Sequence, residues 1–597
     1  MHLRRSLAVA VLFTIPARSA GAQAVRYEVS VASAAGHLYH VKADFPTTGT
    51  DTLLVSLPAW SPGNYEIQNY ARFVRHFAAQ DAAGKTLFWD RLDKDTWRIG
   101  TGGSANVTVA FDFLADEIDL SRARLLEDFG QFLGTNLFLY QEGHLERPAA
   151  VRFALPAGWT VTTALPSAGD GYRADNYHEL ADAQTFVGRF TTDSLQVDGK
   201  WIRIAVWPEA DYTPAVARNL REGIAKQAAV QNAMMGGAPY DTYTLFFNVI
   251  HEPINYGGGL EHAASQYDIL PTDMFADASG TLGSFMRPLT SHEFFHLWNV
   301  KRIRPAEMWP YDYHAEQYTP LLWWSEGVTD YYGDVTNWRA GLWTDDEWLE
   351  SMQSNIVQVQ SAPEPWSEED GSAATWINEV FVNSSQLYYP KGSLTGLLLD
   401  IAIRDATDNR HSLDEVARNL YTRYYRQGKG FRTADLLGLL TEAGLPDARG
   451  FYQKYINGRE ELPYEQILPR GGIAVQRHAT TTPVLGVQTG TPSNIIVGVV
   501  PGGAADAAGL VEGDTVISVG DVPATAEVDW GPAFREHYRG KAGAPLPIVV
   551  RRGGKPVTLN ATVVERTANL FMLSKAATPD AKAARIWRGL ATGTVGN

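Results

Sequence analysis

Ser291-His292-Glu293-Phe294-Phe295-His296-Leu297-Trp298, taken with Trp324-Ser325-Glu326-Gly327, decides how the rest of this chain is read. His292 and His296 are four residues apart, which on a helix places both imidazoles on one face. Two imidazoles so placed can share a metal ion, and Glu293 projects beside them, able to take a proton from water activated there. A site of this kind needs a third protein ligand and an open fourth position. Glu326, thirty residues after His296, is the candidate third ligand. Asp330 lies one helical turn beyond it, placed to accept the free imidazole N–H of a metal histidine. The bare pattern also occurs as a pair of exposed helical histidines. Here Phe294, Phe295, Leu297 and Trp298 would bury the other faces, so the helix belongs inside a domain.

The chain has 597 residues, too long for one core, and its 45% hydrophobic and 20% charged residues are ordinary globular material. A net charge of −16 argues against a nucleic-acid partner and offers no basic patch for anionic lipid. Residues 1–24 read as a secretory signal peptide: Arg4 and Arg5, an apolar run from Leu7 to Ile15, then small residues through Ala24. Export to the periplasm or beyond is expected, with no transmembrane span. The chain has no cysteine, so neither disulfides nor thiolate chemistry enter.

From residue 25 to 207 the pattern has period two, as in His37–Phe45, Asn106–Phe113 and Trp201–Trp207, which predicts an N-terminal antiparallel β-domain. Trp60-Ser-Pro-Gly-Asn-Tyr65 is a turn with aromatic flanks, read as a plain loop with a place beside substrate as the alternative. Residues 213–235 have helical spacing, Asp241–Ile250 reads as a strand, and a glycine-rich turn through Glu261 and His262 precedes the histidine helix. A catalytic α+β domain is expected over 208–470. Residues 476–568 form a small β-rich module, and 569–597 a short helix or loose tail. Lys301, Arg302 and Arg304 suit the C-terminus of the histidine helix, with a grip on a substrate carboxylate as the alternative, and His251 and His262 are not expected to be ligands.

His-Glu-x-x-His followed by Glu-x-x-x-Asp resembles the gluzincin metallopeptidases, thermolysin-like and aminopeptidase N-like. Gly258-Gly259-Leu260-Glu261-His262 is similar to the aminopeptidase N strand that lies along the substrate, and Tyr389-Pro390-Lys391-Gly392 to that family's Tyr-x-Lys-Gly. Signal peptide, β-domain, the run His292–Pro305, Trp-Ser-Glu-Gly and a C-terminal PDZ-like module together resemble the glycyl aminopeptidase family. The resemblance implies a thermolysin-like catalytic domain and one Zn²⁺ per chain on His292, His296 and Glu326. It implies Glu293 as general base, Tyr389 as oxyanion donor and Glu261 as anchor for the free α-amino group. Tyr388 is the alternative to Tyr389, and a turn carboxylate the alternative role for Glu261. The substrates implied are short peptides with a free N-terminus and Gly, then Ala, at P1. Leu485-Gly486-Val487 resembles the PDZ carboxylate-binding loop, which captures a peptide C-terminus. A zinc endopeptidase of the same fold, and a peptide-binding PDZ protein on an inactive peptidase scaffold, are the competing readings.

Overall fold

The computed structural model describes residues 23–596 apart from 48, 253–256, 276–284, 363–365, 378–386, 491–493, 501–502 and 526–528. The expected signal peptide lies almost wholly outside the described residues.

Between Val25 and Gly188 the alternating segments fold into three sheets. The largest has seven strands, with Val25–Ser33, Leu38–Pro46 and Asn106–Leu114 side by side. In Asn106–Leu114, Val107, Val109, Phe111 and Phe113 are buried while the residues between them reach solvent in part. That is how one face of a sheet comes to line a core. Pairing within these sheets is antiparallel except between Val25–Ser33 and Ala149–Ala154, which run parallel. The expected purely antiparallel domain is corrected to that extent: alternation predicts a strand but not the direction of a distant neighbour.

The catalytic sheet orders Thr191–Val197, Lys200–Trp207, Thr242–Ile250, Ser265–Pro271 and Gly258–Glu261. Its first two strands were expected in the β-domain. Lys200–Trp207 instead pairs in parallel with Thr242–Ile250, which carries the boundary back from 207 to about residue 190. The crossover between them is the helix Pro214–Met235. It opens with the Thr213 side chain accepting from Val216 N–H and Pro214 in the first turn, and closes at Gly236, whose φ is +81°. Thr242–Ile250 is buried on both faces, hence its near-continuous apolar run. The glycine-rich turn is a short edge strand, Gly258–Glu261, antiparallel to Ser265–Pro271.

Helices follow, and then a module with its own core, built from Leu485, Ile496, Val516, Phe534 and Ile548 among others. A two-stranded ribbon, Ile473–Val484 against Val564–Lys575, ties it to the catalytic domain. The tail expected at 569–597 is not separate. It begins within the ribbon and ends in the helix Ala581–Thr592, which buries Ile586 and Leu590 completely. Trp587 packs edge-on against Trp338 at 4.9 Å. Apolar side chains spaced one and four apart gave the short helix a face to bury, so it joined the catalytic core. Among the described residues no helix is long and apolar enough to cross a membrane.

Candidate active site

The histidine helix runs Met286–Phe295, and His296 continues its last turn through a hydrogen bond from its N–H to the His292 carbonyl at 3.2 Å. Phe294, Phe295, Leu297 and Trp298 are all buried, as the sequence requires of an internal helix. Glu326 sits in the π-helical turn Trp323–Gly327, which leads into the helix Val328–Arg339. Such widened turns concentrate at functional sites, where they redirect a side chain.

Three donor atoms converge. His292 Nε2 and His296 Nε2 are 2.9 Å apart. Glu326 Oε2 stands 3.2 Å from His296 Nε2 and 3.6 Å from His292 Nε2. Donors bound tetrahedrally at about 2.0–2.2 Å from one zinc ion stand roughly 3.3–3.5 Å from each other. The far side of each ring is also occupied. His296 Nδ1 lies 2.7 Å from the Asn299 carbonyl oxygen. His292 Nδ1 lies 2.7 Å from Asp330 Oδ1, a bent ion-pair contact that falls short of a straight hydrogen bond. With an oxygen beside each Nδ1, the two Nε2 atoms are left facing one another and a carboxylate. A cation resolves that arrangement, and a two-histidine, one-carboxylate set suits zinc.

The surrounding charge agrees. Burial alone would lower both imidazoles, but Asp330 and Glu326 beside His292, and Glu326 and Glu261 beside His296, hold them above the usual range. Burial would raise the Glu326 carboxyl, and the two histidines outweigh it and hold it down. For Glu293 burial wins over the same histidines and pushes the carboxyl up to about 7. Its neighbour strand comes close: a Cβ on Gly259 would lie 2.5 Å from Glu293 Oε1.

Glu261 is 4% exposed, and its carboxylate groups with Glu293 and His296, ligand atoms within 4.8 Å of one another. It therefore faces the site. Its Oε1 has no hydrogen-bond partner among the described residues. Tyr389 brings its ring to 6.1 Å from that of His292. The Tyr388 hydroxyl is instead 3.1 Å from Thr375 Oγ1, so of this pair Tyr389 is the one whose ring approaches His292. Leu485, Gly486 and Val487 lie apart from this group, in the C-terminal module. There Gly486 has φ +78° and its carbonyl accepts from Val500 N–H.

His251 pairs with Asp211 and His262 with Asp182, so neither joins the ligand set. Arg302 caps the histidine helix by donating to the Leu297 carbonyl at 2.7 Å. Lys301 does something else. It is buried, and its Nζ donates to Asp182 Oδ1 at 3.0 Å and to the Pro62 carbonyl at 3.1 Å, and lies 3.8 Å from Glu261 Oε1. The sequence also left Tyr65 in a plain loop, whereas its hydroxyl donates to Glu326 Oε1 at 2.6 Å. Its aromatic flanks and a glycine two residues before it were the available signal.

Residues 26–189 match the Peptidase M61 N-terminal domain, and residues 286–395 match M61 glycyl aminopeptidase. Among solved structures, an aminopeptidase N family protein from Idiomarina loihiensis is similar with a TM-score of 0.84 and 23% identity, over 95% of this chain and 100% of that one. An M1 zinc metallopeptidase from Deinococcus radiodurans gives a TM-score of 0.46 and 13% identity, over 74% of this chain and 95% of that one. Native leukotriene A4 hydrolase from Saccharomyces cerevisiae gives 0.45 and 12%, over 74% of this chain and 68% of its own. No curated protein matches. The first of these structures shares the fold across nearly the whole chain, and the two family matches fall on the β-domain and on the histidine, Glu326 and Tyr389 segments. The N-terminal and catalytic segments of this chain thus match models of the M61 glycyl aminopeptidase family, and the protein is a metallo-aminopeptidase.

Proposed function

We propose that the protein removes the N-terminal residue of short peptides, glycine first and alanine next, on one zinc ion per chain held by His292, His296 and Glu326. The observation that carries the choice of aminopeptidase is Glu261. A buried carboxylate oxygen that faces the metal-ligand group without a hydrogen-bond partner, with Lys301 Nζ standing off at 3.8 Å, is costly unless a closer cation meets it. A free peptide α-amino group is such a cation; an internal peptide bond has none to offer. An endopeptidase would need Glu261 turned away.

When bound, Zn²⁺ supplies Lewis acidity, polarising the scissile carbonyl and lowering the pKa of a water ligand towards about 7. Glu293 takes the proton of the attacking water and passes it to the leaving amine nitrogen, a task that suits a carboxyl raised by burial. Tyr389 donates its hydroxyl hydrogen to the carbonyl oxygen as charge develops there. Asp330 orients His292 and the Asn299 carbonyl orients His296. Preference for a small first residue is supported by the family's description and by the close approach of Gly63, where a Cβ would lie 2.6 Å from Glu261 Oε2 and 2.8 Å from Leu260 Cδ1. The C-terminal module, PDZ-like in its Leu485-Gly486-Val487 loop, is assigned the capture of a peptide C-terminus. Residues 1–24 are assigned to export.

The test is release of nitroaniline from glycyl, alanyl and leucyl substrates beside an N-acetylated glycyl one, with a chelator and Glu293→Gln as controls. Hydrolysis of the free glycyl substrate, lost with the block, the chelator and the variant, supports the proposal. Cleavage confined to blocked or longer peptides makes the protein an endopeptidase.

A further inference from the structure

The Trp60–Tyr65 loop comes from the β-domain, yet it reaches into the catalytic site. Tyr65 stands 261 residues before Glu326, and its hydroxyl donates to Glu326 Oε1 at 2.6 Å. The other oxygen, Oε2, is the one turned to the two imidazoles. The carboxylate is thus divided, one oxygen for the metal side and one for the phenol. A hydrogen bond this short to an ionised acceptor belongs to the strong class.

The loop is held on both sides. The indole N–H of Trp60 donates to the Asp312 carbonyl at 2.8 Å, and Ser61 Oγ lies 2.7 Å from the Tyr70 hydroxyl and 2.6 Å from Thr135 Oγ1. The Pro62 carbonyl accepts from Lys301 Nζ on the catalytic side. Gly63 has φ +108°, and a Cβ there would lie 2.6 Å from Glu261 Oε2. Only glycine allows the backbone that approach. Asn64 Nδ2 donates to Ser121 Oγ at 2.7 Å, and the Tyr65 ring packs edge-on against Trp376 at 5.9 Å. A connector would not be fixed at every residue.

We infer that Tyr65 is a positioning residue for the third metal ligand, so that the N-terminal β-domain completes the metal centre of the catalytic domain. Tyr65 restrains rotation of the Glu326 carboxylate and keeps Oε2 towards the histidines. The inference rests on the assignment of Glu326 as a zinc ligand and not on the identity of the peptide substrate. Outer partners of metal ligands commonly account for about 10–100-fold in metal affinity.

The test is zinc affinity by competition with a chromophoric chelator, in wild type and Tyr65→Phe. Phe keeps the ring against Trp376, and thermal unfolding of the metal-free proteins checks that the fold is unchanged. Co²⁺-loaded samples add a reading of ligand geometry through their visible bands. Zinc affinity about 10–100-fold weaker in Tyr65→Phe, with shifted Co²⁺ bands and an unchanged metal-free melting temperature, supports the inference. Equal affinity and identical bands overturn it. So does equal affinity with turnover about 10²–10³-fold lower, which would make Tyr65 a donor to the oxyanion instead. A wild type that binds no zinc removes the ligand assignment itself, and this inference with it.

Discussion

Gly327 and Gly392 meet backbone to backbone: a Cβ on Gly327 would lie 2.6 Å from the Gly392 Cα, and one on Gly392 would lie 2.9 Å from the Gly327 Cα. Gly327 follows Glu326, and Gly392 stands three residues after Tyr389 in the helix Tyr388–Ala406. The contact therefore sets the distance between the proposed third metal ligand and the proposed oxyanion donor. A Cβ on Gly392 would also lie 2.6 Å from the Trp323 carbonyl oxygen, and backbone cannot swing aside as a side chain can. Gly392→Ala is expected to cost about 1–3 kcal/mol of stability and to lower turnover on glycyl nitroanilide. Denaturant unfolding and steady-state kinetics check both, and a variant unaffected in both would show the approach to be unimportant.

Glu293→Gln removes the proton acceptor and leaves the three ligands in place. Turnover should fall by about 10²–10⁴-fold while bound zinc, read by atomic absorption, stays at one per chain. Loss of the metal along with activity would assign Glu293 to the ligand set instead.

The two segments of the candidate metal site were legible in the sequence because their chemistry is local. His292, Glu293 and His296 share one turn, Glu326 and Asp330 share another, and spacing alone puts each pair on one face. The 207 boundary was not legible. Strands alternate in the same way whichever sheet they join, and only the pairing of Trp201 with Thr242 shows that Lys200–Trp207 is catalytic. Tyr65 was legible only as part of a loop that could lie beside substrate, and its link to Glu326 was not, for a related reason. Its role depends on a loop crossing between domains, and no periodicity links residue 65 to residue 326. Lys301 looked like a helix-capping cation, and its burial beside Asp182 had no sequence signal.

Asp330→Asn weakens the hold on His292 without removing a ligand. Zinc affinity should drop by about 10–100-fold, and turnover at saturating zinc should recover most of the wild-type value. An unchanged affinity would mean that the 2.7 Å contact between His292 Nδ1 and Asp330 is incidental.

Asp182 gives a pH dependence with a definite sign. Burial pushes its carboxyl up, but the Lys301 charge, the His262 contact and the Ala263 N–H outweigh burial and hold it well below the usual range. Unfolded, the group takes its proton near pH 4. Its contribution to stability is therefore complete above about pH 4 and is lost as pH falls towards the folded value. Lys301→Met, which takes from Asp182 its lysine counter-charge and leaves it the His262 contact and the Ala263 N–H, is expected to cost about 3–5 kcal/mol at neutral pH and progressively less in acid. Urea unfolding across pH 3–7 checks this, and a penalty independent of pH would rule out the pairing as its source.

The measurement closest to the central claim is kcat/KM for a free and an N-acetylated glycyl nitroanilide, in wild type and in Glu261→Gln. The account predicts that wild type discriminates strongly for the free amine. In the variant, kcat/KM for the free substrate should fall by about 10–100-fold, the value of a charge-assisted hydrogen bond, while the blocked substrate is unaffected. Wild type cleaving both substrates equally well, or discrimination that survives in Glu261→Gln, would contradict the assignment of Glu261 as the anchor of the substrate amine.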